Sequence, residues 1–340
     1  MASDSNNYCS YSKQERKSLV EKIYVDFPPT YKLKKLMDHC RQHSKIASEP
    51  ECMLVMGVRG SGKTTECKRY AQGFPRQVKE DGARIPVLYT SIPSPTTTKS
   101  LPMKLLYSID DPFWDKGNNT VQTIRLCRLL KDCGTELVIL DEFHNFIDGK
   151  TDRAILEVSN WLKDFLNELK KPVLLAGLPY CDIVLLANDQ LERRFSVRET
   201  LKPLEWKTTK QKEMFKGFLH YVDQKLPFAE RSNLSDENLA HRFYCATNGV
   251  IDFIMKIIRR AAELAIDRNM EKLDLNILAR AYIDRLSAMD PSRQNPFTVD
   301  IDELEIKPFG ESILGIMATN RRSRSKTSKP TLSELFSRGN

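Results

Sequence analysis

Short apolar runs alternate with longer amphipathic stretches along the first part of the chain. The short runs are rich in β-branched residues and predict buried strands, and the stretches between them carry apolar residues at helical spacing. The predicted strands are Met53–Met56, Ile85–Thr90, Leu137–Leu140 and Pro172–Gly177, and the predicted helices are Tyr31–Arg41, Thr120–Cys133 and Arg153–Lys170. This alternation predicts an α/β fold with a mostly parallel sheet flanked by helices, and a ligand beyond the carboxyl ends of the strands.

The pattern changes after Trp206. From Thr208 to about Met289 no strand pattern occurs, and apolar residues recur only at helical spacing. This section predicts a small all-helical domain. Its predicted helices are Gln211–Lys225, Ser235–Ala246, Val250–Arg268 and Leu275–Ser287.

Both ends of the chain are polar. Residues 1 to about 30 end in Asp26-Phe27-Pro28-Pro29, which interrupts regular structure before the first predicted helix. Just beyond Asp290 the chain contains Pro291, Pro296 and Pro308, and Arg321 to Lys329 shows no amphipathic pattern. We therefore expect an N-terminal arm and helix over residues 1–48 and a flexible basic tail over residues 290–340.

Charge and composition narrow the class of protein. Residues 306–340 carry a net charge of +5, which leaves only +3 on the other 305 residues, so a nucleic-acid surface on the folded part must be a local stripe. There is no apolar run of membrane-spanning length and no secretion-signal pattern, and the eight cysteines show no C-x-x-C pair. The expectation is a cytoplasmic protein with reduced thiols and no membrane partner.

A glycine-rich segment follows the first predicted strand and leads into a helix. Its spacing, G-x-x-x-x-G-K-[ST], is that of a phosphate-binding loop, in which glycines let backbone N–H groups turn inward around a phosphate. The lysine then reaches the β- and γ-phosphates of ATP, and the threonine hydroxyl binds Mg²⁺. The alternative is a simple glycine turn between strand and helix. The residues expected to bind the nucleotide are Gly57, Val58, Arg59, Gly60, Ser61, Gly62, Lys63, Thr64 and Thr65.

Two acids follow the apolar run Leu137–Leu140, which is the Walker B arrangement. Asp141 is expected to bind Mg²⁺ together with Thr64, and Glu142 to polarise a water for attack on the γ-phosphate. The alternative is that the two acids merely cap a strand in solvent. His144 lies close enough in sequence to contact the site, although a packed histidine is the other interpretation.

The P-loop, the Asp-Glu pair and the helical section together resemble the AAA+ ATPases, whose nucleotide lies between an α/β domain and a helical lid. Among the AAA+ ATPases, the chain is similar to the TniB/TnsC regulators of DNA transposition. Three sequence segments carry this similarity: Leu140–His144, Lys171–Pro179 and Gln190–Phe195. The resemblance spans roughly residues 30 to 285. It implies an AAA+ α/β nucleotide-binding domain over residues 49–206 and a helical lid domain over residues 207–289.

The resemblance also implies a function. Members of this family are ATPases that use ATP and Mg²⁺ and assemble with copies of themselves, as a ring or helical filament, on double-stranded DNA. The assembly recruits or activates a transposase, ATP hydrolysis by Glu142 resets it, and a target-selection protein is a further possible partner. The protein is then a prokaryotic, cytoplasmic regulator of transposition.

The segment Gln190–Phe195 contains two adjacent arginines, which are candidates for an arginine finger. The resemblance places Arg193 and Arg194 opposite the nucleotide of the neighbouring subunit, where a guanidinium stabilises charge at the transition state. The alternative is that they form surface salt bridges with Glu192 or Glu199.

Two departures from the family pattern affect the expected rate of ATP hydrolysis. Ala176-Gly177-Leu178-Pro179 has no polar sensor, and the lid sequence after Gly249 lacks the usual arginine, for which Lys256 or Arg259 can substitute. Fewer contacts to the γ-phosphate predict slow hydrolysis.

Small hydroxyl side chains and cations near residues 94–131 are candidates for contacts to DNA phosphates. The loop of residues 94–100 offers small hydroxyls and one cation, without base-reading side chains, and Arg125, Arg128 and Lys131 lie on one helical face that can extend it. Binding of this kind should tolerate sequence and weaken steeply with salt. An ordinary polar loop and a solvated helix face are the alternative. The candidates are Thr96, Thr97, Thr98, Lys99, Arg125 and Arg128.

The segment Pro330–Phe336 combines a capping-box spacing with Leu332, Leu335 and Phe336 on one helical face. So short a helix is unstable alone in water, and we expect it to fold on docking to a transposase or endonuclease subunit, with plain disorder as the alternative. Two other functions remain open. One is a replication-initiator-like or loader-type DNA-binding ATPase without transposition partners, and the other is a P-loop small-molecule kinase.

Overall fold

The computed structural model describes residues 11–47, 49–80 and 82–316. Both the basic run Arg321–Lys329 and the segment Pro330–Phe336 lie outside the described residues. The chain divides into two compact units, one of residues 29–201 and 315–316 and one of residues 11–28 and 202–314.

The described residues form the following elements. The helices are α1 (Lys13–Glu21), α2 (Pro28–His43), α3 (Lys63–Gln72), α4 (Ser100–Ser108), α5 (Asn119–Asp132), α6 (Asp152–Leu169), α7 (Ile183–Leu186), α8 (Asp189–Arg194), α9 (Thr209–Lys225), α10 (Glu237–Thr247), α11 (Ile251–Asp267), α12 (Leu275–Arg285) and α13 (Glu311–Leu314). The strands are β1 (Met53–Gly57), β2 (Gln77–Lys79), β3 (Gly82–Arg84), β4 (Val87–Ser91), β5 (Leu137–Asp141), β6 (Val173–Gly177) and β7 (Val197–Leu201).

A five-stranded parallel sheet forms the centre of the first unit. Its strand order is β4-β5-β6-β1-β7, and β2 and β3 form a separate antiparallel hairpin. Because both faces of the sheet are covered, β5 and β6 are buried along their whole length. The predicted parallel sheet flanked by helices is therefore confirmed.

Two apolar layers hold the helices on the sheet. On one face, α2 and α3 pack through Leu33, Met37 and Cys67. On the other face, α6 presents Trp161 and Phe165, together with other residues at helical spacing. The five strands of this parallel sheet end toward the same edge, where the loops after β1, β5 and β6 lie next to one another.

The second unit is helical and confirms the predicted all-helical section. Its core consists of apolar side chains from α9 to α12 and from α1. Gly249 fixes the turn between α10 and α11, because its φ is +73° and a Cβ there would lie 1.8 Å from the carbonyl oxygen of Leu204. The amide of Leu204 donates to the carbonyl of Gly249 at 2.9 Å.

The unit boundaries differ from the predicted ones at both ends of the chain. Residues 11–28 belong to the helical unit, where Val20 and Phe27 are buried in its core. Residues 290–314 also belong to it, and Phe297 and Phe309 pack against the same core. The prediction failed here because a few apolar residues at irregular spacing give no periodic signal, although each can fill a gap in an existing core.

A buried arginine anchors this C-terminal segment. The guanidinium of Arg293 donates to the carbonyl oxygens of Cys245 at 2.7 Å and Lys307 at 2.5 Å, and it lies 4.0 Å from the ring centroid of Phe309. Arg242 donates in the same way to the carbonyls of Pro296 and Val299, each at 2.7 Å. Residues 290–309 are therefore a strap on the helical unit rather than part of a tail.

Candidate nucleotide-binding site

The glycine-rich loop connects β1 to α3. Gly60 and Gly62 have φ values of +76° and +99°, which side chains with a Cβ rarely adopt, and α3 begins directly after Gly62. The ammonium group of Lys63 turns back over the loop and donates to the carbonyls of Gly57 at 2.7 Å and Val58 at 2.9 Å. The loop therefore presents a helix N-terminus and a cation on one side, which is the arrangement that binds a phosphate.

Lys63 is a buried cation, only 6% exposed, and forms no ion pair within the described residues. Burial lowers the pKa of Lys63, and this effect is opposed by the charges of Glu142 and Asp141. A cation held near two carboxylates without touching either is suited to a polyanion placed between them. The structure therefore fits a nucleoside triphosphate at this loop.

The two acids lie at the carboxyl end of β5. Asp141 is fully buried, and its Oδ1 accepts from the amide of Glu142 while its Oδ2 accepts from the hydroxyl of Tyr89, both at 2.8 Å. Glu142 has a φ of +58°, which is unfavourable for a residue with a side chain. The hydroxyl of Thr64 donates to Oε1 of Glu142 at 3.4 Å. The P-loop helix and the acid pair are thus brought together.

His144 also contacts the acid pair. Its Nε2 lies 3.3 Å from Oε2 of Glu142, and its side chain is 10% exposed. Burial lowers the pKa of His144, while Glu142 and Asp148 raise it. The ring also makes an edge contact with Tyr180, whose hydroxyl donates to Asp148. His144 is both a packed residue and a neighbour of Glu142, so the two interpretations of the sequence are compatible.

The oxygens of Thr64 and Asp141 are of the type that Mg²⁺ prefers, and the contact of Thr64 with Glu142 places this hydroxyl beside the acid pair. These two residues would hold the cation, which neutralises charge on the β- and γ-phosphates. Thr65 is exposed in the first turn of α3, and Arg59 is exposed in the loop.

The arginine pair ends α8, but the two side chains differ. Arg193 is exposed and makes no hydrogen bond or ion pair within the described residues. Arg194 is partly buried, and its carbonyl accepts from the amide of Cys52 at 2.8 Å, just before β1. The salt bridges considered as an alternative do not form, because Glu192 pairs with Arg198 at 3.5 Å and Glu199 with Lys32 at 2.6 Å.

Two of the candidate DNA contacts are engaged inside the protein. Thr96 is buried, and its hydroxyl donates to the carbonyl of Pro93. Arg125 pairs with the buried carboxylate of Asp111 at 2.9 Å and donates to the carbonyl of Phe113. Both residues hold loops in place, and they leave the candidate set.

The remaining candidates are accessible. Thr97 and Lys99 are exposed before α4, Thr98 between them is partly exposed, and the side chain of Arg128 is 83% exposed with Asp132 at 3.9 Å. The substitutes considered for the lid arginine are engaged within the helical unit. Lys256 pairs with Asp252 at 2.7 Å, and Arg259 with Glu21 at 3.8 Å.

Tyr89 is a further residue of this site. It lies within a predicted strand, and its bond to Asp141 joins residues 52 positions apart, so no local pattern reveals it. Within the described residues, no helix is both long and apolar enough to cross a membrane.

Comparison with known proteins identifies the family. The family model described as "Bacterial TniB protein" matches residues 16–207, more than half of the chain. No curated protein matches the sequence. Cdc6p from Pyrobaculum aerophilum has a similar structure, with a TM-score of 0.58 and 16% identity over 79% of this chain and 71% of that one.

Two proteins of Aeropyrum pernix are also similar in structure. ORC1, solved in complex with DNA, matches with a TM-score of 0.53 and 14% identity over 81% of this chain and 70% of that one. ORC2, solved as ADPNP–ADP complexes, matches with a TM-score of 0.51 and 13% identity over 79% of this chain and 72% of that one. At these identities the likeness shows the fold, which is that of the AAA+ ATPases.

Proposed function

The chain belongs to the TniB family of bacterial proteins and has the AAA+ fold, and from this premise we propose that it is an ATP-dependent, DNA-binding regulator of transposition. The family implies a role associated with transposition. In the proposed function, the protein assembles on target DNA in the presence of ATP and recruits or activates a transposase. Hydrolysis of ATP then resets the assembly.

One observation carries the nucleotide part of the proposal. Lys63 is a buried ammonium group without a carboxylate partner among the described residues, and it lies on a helix N-terminus close to Asp141 and Glu142. A structural lysine in such a place would be paired, because an isolated buried charge is costly. A triphosphate between Lys63 and the acids supplies the missing charge.

The chemistry follows from the positions of four side chains. Lys63 and the loop amides bind the β- and γ-phosphates, and Thr64 and Asp141 hold Mg²⁺. Glu142, at the end of β5 beside Thr64, accepts a proton from the attacking water or orients it. β6 ends in Ala176 and Gly177, which carry no polar side chain, so the γ-phosphate has few contacts from that strand and hydrolysis should be slow.

Arg193 links hydrolysis to assembly. It is exposed at the end of α8 and has no partner within the described residues, so it is free to reach the nucleotide of a neighbouring copy. The side chain of Arg194 is partly buried, so it is less accessible to a neighbouring copy. Of the two candidates, the proposal therefore assigns the arginine finger to Arg193.

In the proposed function, copies of the protein assemble on duplex DNA. Thr97, Thr98, Lys99 and Arg128 are accessible for contacts to backbone phosphates. Binding should be tolerant of sequence and strongly salt-dependent. Target choice would then come from a separate target-selection protein, and the C-terminal residues would contact transposase or endonuclease subunits.

A direct test mixes the protein with duplex DNA and a slowly hydrolysed ATP analogue and images the sample by electron microscopy. A second measurement follows the hydrolysis of ATP across protein concentration, with and without DNA. Rings or filaments that require both DNA and nucleotide, with a rate per subunit that rises with concentration, are the expected result. Lys63→Met should show neither. A monomer that turns over ATP equally well when dilute and without DNA would contradict the proposal and favour a small-molecule kinase.

A further inference from the structure

Tyr89 lies on β4, at the edge of the sheet, and contacts the acid at the end of the neighbouring strand. In the parallel register of β4 and β5, Tyr89 lies opposite Ile139 and Ser91 lies opposite Asp141. Tyr89 is therefore two residues before the position opposite the acid, and both side chains project from one face of the sheet. Its hydroxyl spans this step and donates to Oδ2 of Asp141 at 2.8 Å.

Both oxygens of this carboxylate have a fixed donor. Oδ1 accepts from the amide of Glu142, also at 2.8 Å. The donor on Oδ1 is backbone and cannot be removed by substitution, whereas the donor on Oδ2 is a side chain from another strand. Among the described residues, Tyr89 is thus the only side chain whose hydrogen bond restricts rotation of the Asp141 carboxylate.

The ring of Tyr89 also faces a cation on the P-loop helix. The ammonium group of Lys68, on α3, lies 5.9 Å from the centroid of the Tyr89 ring. A tyrosine hydroxyl is protonated at neutral pH and donates to this carboxylate.

We propose that Tyr89 is a positioning residue for Mg²⁺, because it fixes which lone pairs of Asp141 face the cation that Thr64 also holds. This inference rests on the proposed nucleotide-binding function. A carboxylate offers about four lone-pair directions, and the hydroxyl and the amide occupy one on each oxygen. Mg²⁺ requires near-octahedral oxygen ligands, so a carboxylate with fixed orientation should bind it more strongly than one that rotates. In this proposal Tyr89 acts through Asp141, to which its hydroxyl donates, and not on the nucleotide itself.

The test is equilibrium binding of a fluorescent, slowly hydrolysed ATP analogue to Tyr89→Phe across a titration of Mg²⁺. The substitution removes only the hydroxyl. We expect the Mg²⁺ concentration at half-maximal enhancement of binding to rise about tenfold, the lower end of the effect of removing a partner of a metal ligand. Affinity in the presence of EDTA should equal that of the wild type.

Tyr70→Phe is the matched control. Tyr70 lies in the same unit, and its hydroxyl donates to Oδ1 of Asp38 at 2.8 Å and accepts from Arg41 at 3.1 Å, so a tyrosine–carboxylate bond is lost away from the phosphates. This variant should keep the wild-type requirement for Mg²⁺, and thermal melting without nucleotide should show that both variants are folded. Equal Mg²⁺ requirements for the two variants would overturn the inference alone. Wild-type protein that binds no nucleotide would overturn the proposed function as well.

Discussion

The hydroxyl of Thr64, in the first turn of the P-loop helix, lies 3.4 Å from Oε1 of Glu142 at the end of β5. The contact joins residues 78 positions apart, and it connects the element that would bind phosphate and Mg²⁺ with the element that would activate water. Glu142 reaches this point from a backbone with a φ of +58°. Such a conformation persists only where the surrounding structure compensates for it, and it is common at functional sites.

Glu142→Gln separates hydrolysis from binding. The amide keeps the size of the side chain and its contacts with Thr64 and His144, but it cannot accept a proton from water. We expect turnover to fall about 100-fold or more, while nucleotide affinity is unchanged and the assembly stays on DNA. Single-turnover phosphate release and nucleotide binding measure the two effects. Glu157→Gln, at a side chain 61% exposed on α6, is the control for loss of charge. A wild-type turnover rate in Glu142→Gln would show that another group activates the water.

Lys63→Met should abolish nucleotide binding without lowering the stability of the empty protein. The lowered pKa of Lys63 means that the folded, empty site disfavours the charged ammonium. A methionine of similar length removes this cost. The wild type should gain about 2.7 kcal/mol at a nucleotide concentration 100 times its Kd, and the variant should gain nothing. Thermal melting with and without ATP measures both quantities, and a large loss of stability in the empty variant would contradict the interpretation.

The same residue predicts a dependence of stability on pH. In the unfolded chain Lys63 titrates near 10.5, and in the folded chain its pKa is lower. Between these two values the unfolded state binds more protons, so the free energy of unfolding should rise with pH in this window. The rise should be absent in Lys63→Met. Chemical denaturation of both proteins from neutral pH to about pH 10.5 gives the difference, and parallel curves for the two proteins would refute it.

Local sequence predicted the elements that are buried on both faces or strongly periodic. The apolar run Leu137–Leu140 became a central strand, and the helix predicted over Arg153–Lys170 is observed as Asp152–Leu169. β7 was not predicted, because its sequence VRETL is polar and partly exposed. It forms since it pairs with β1 along the edge of the sheet, which is a tertiary effect that overrides weak local propensity.

In the candidate site, too, local motifs were predictable from the sequence and contacts between distant residues were not. The spacing of Gly57 to Thr64 and the acids after β5 are visible in the sequence, because each lies within a few residues. The engagement of Thr96 with Pro93, of Arg125 with Asp111 and of Tyr89 with Asp141 depends on how loops and strands meet. Such contacts leave no periodic signal in the chain. The contacts of Thr96 and Arg125 show that these two side chains are engaged inside the protein and are not part of the proposed DNA surface.

Arg293→Ala should destabilise the helical unit by about 3 kcal/mol, because it leaves the buried carbonyl of Cys245 without its donor and removes packing on Phe309. Arg280→Ala is the matched control, since this arginine belongs to the same unit and is 61% exposed in a pair with Asp284. Its effect should stay within about 0.5 kcal/mol. Urea denaturation compares the two variants, and equal midpoints would show that the strap of residues 290–309 does not stabilise the unit.

Arg193→Ala should lower ATP turnover in the assembly about 1,000-fold, the lower part of the range for an arginine finger. Nucleotide binding to the single subunit should remain, because the side chain of Arg193 is exposed and makes no hydrogen bond or ion pair within the described residues. Arg194→Ala should instead lower the melting temperature, since Arg194 is partly buried beside the start of β1. ATPase assays on DNA and thermal melting separate the two arginines. The reverse pattern would assign the finger to Arg194.

Mixing two inactive variants tests whether Arg193 acts on a neighbouring copy. A subunit with Arg193→Ala keeps Glu142, and a subunit with Glu142→Gln keeps Arg193, so a joint between them can contain one complete site. We expect the mixture on DNA to hydrolyse ATP faster than the sum of the separate variants, and the excess to vanish on dilution. A mixture of Arg193→Ala with a Glu142→Gln, Arg193→Ala double variant has no complete site and is the control. Additive rates in the first mixture would mean that Arg193 acts within its own subunit or not at all, because only a contribution across the joint can be restored by a partner that is itself unable to activate water.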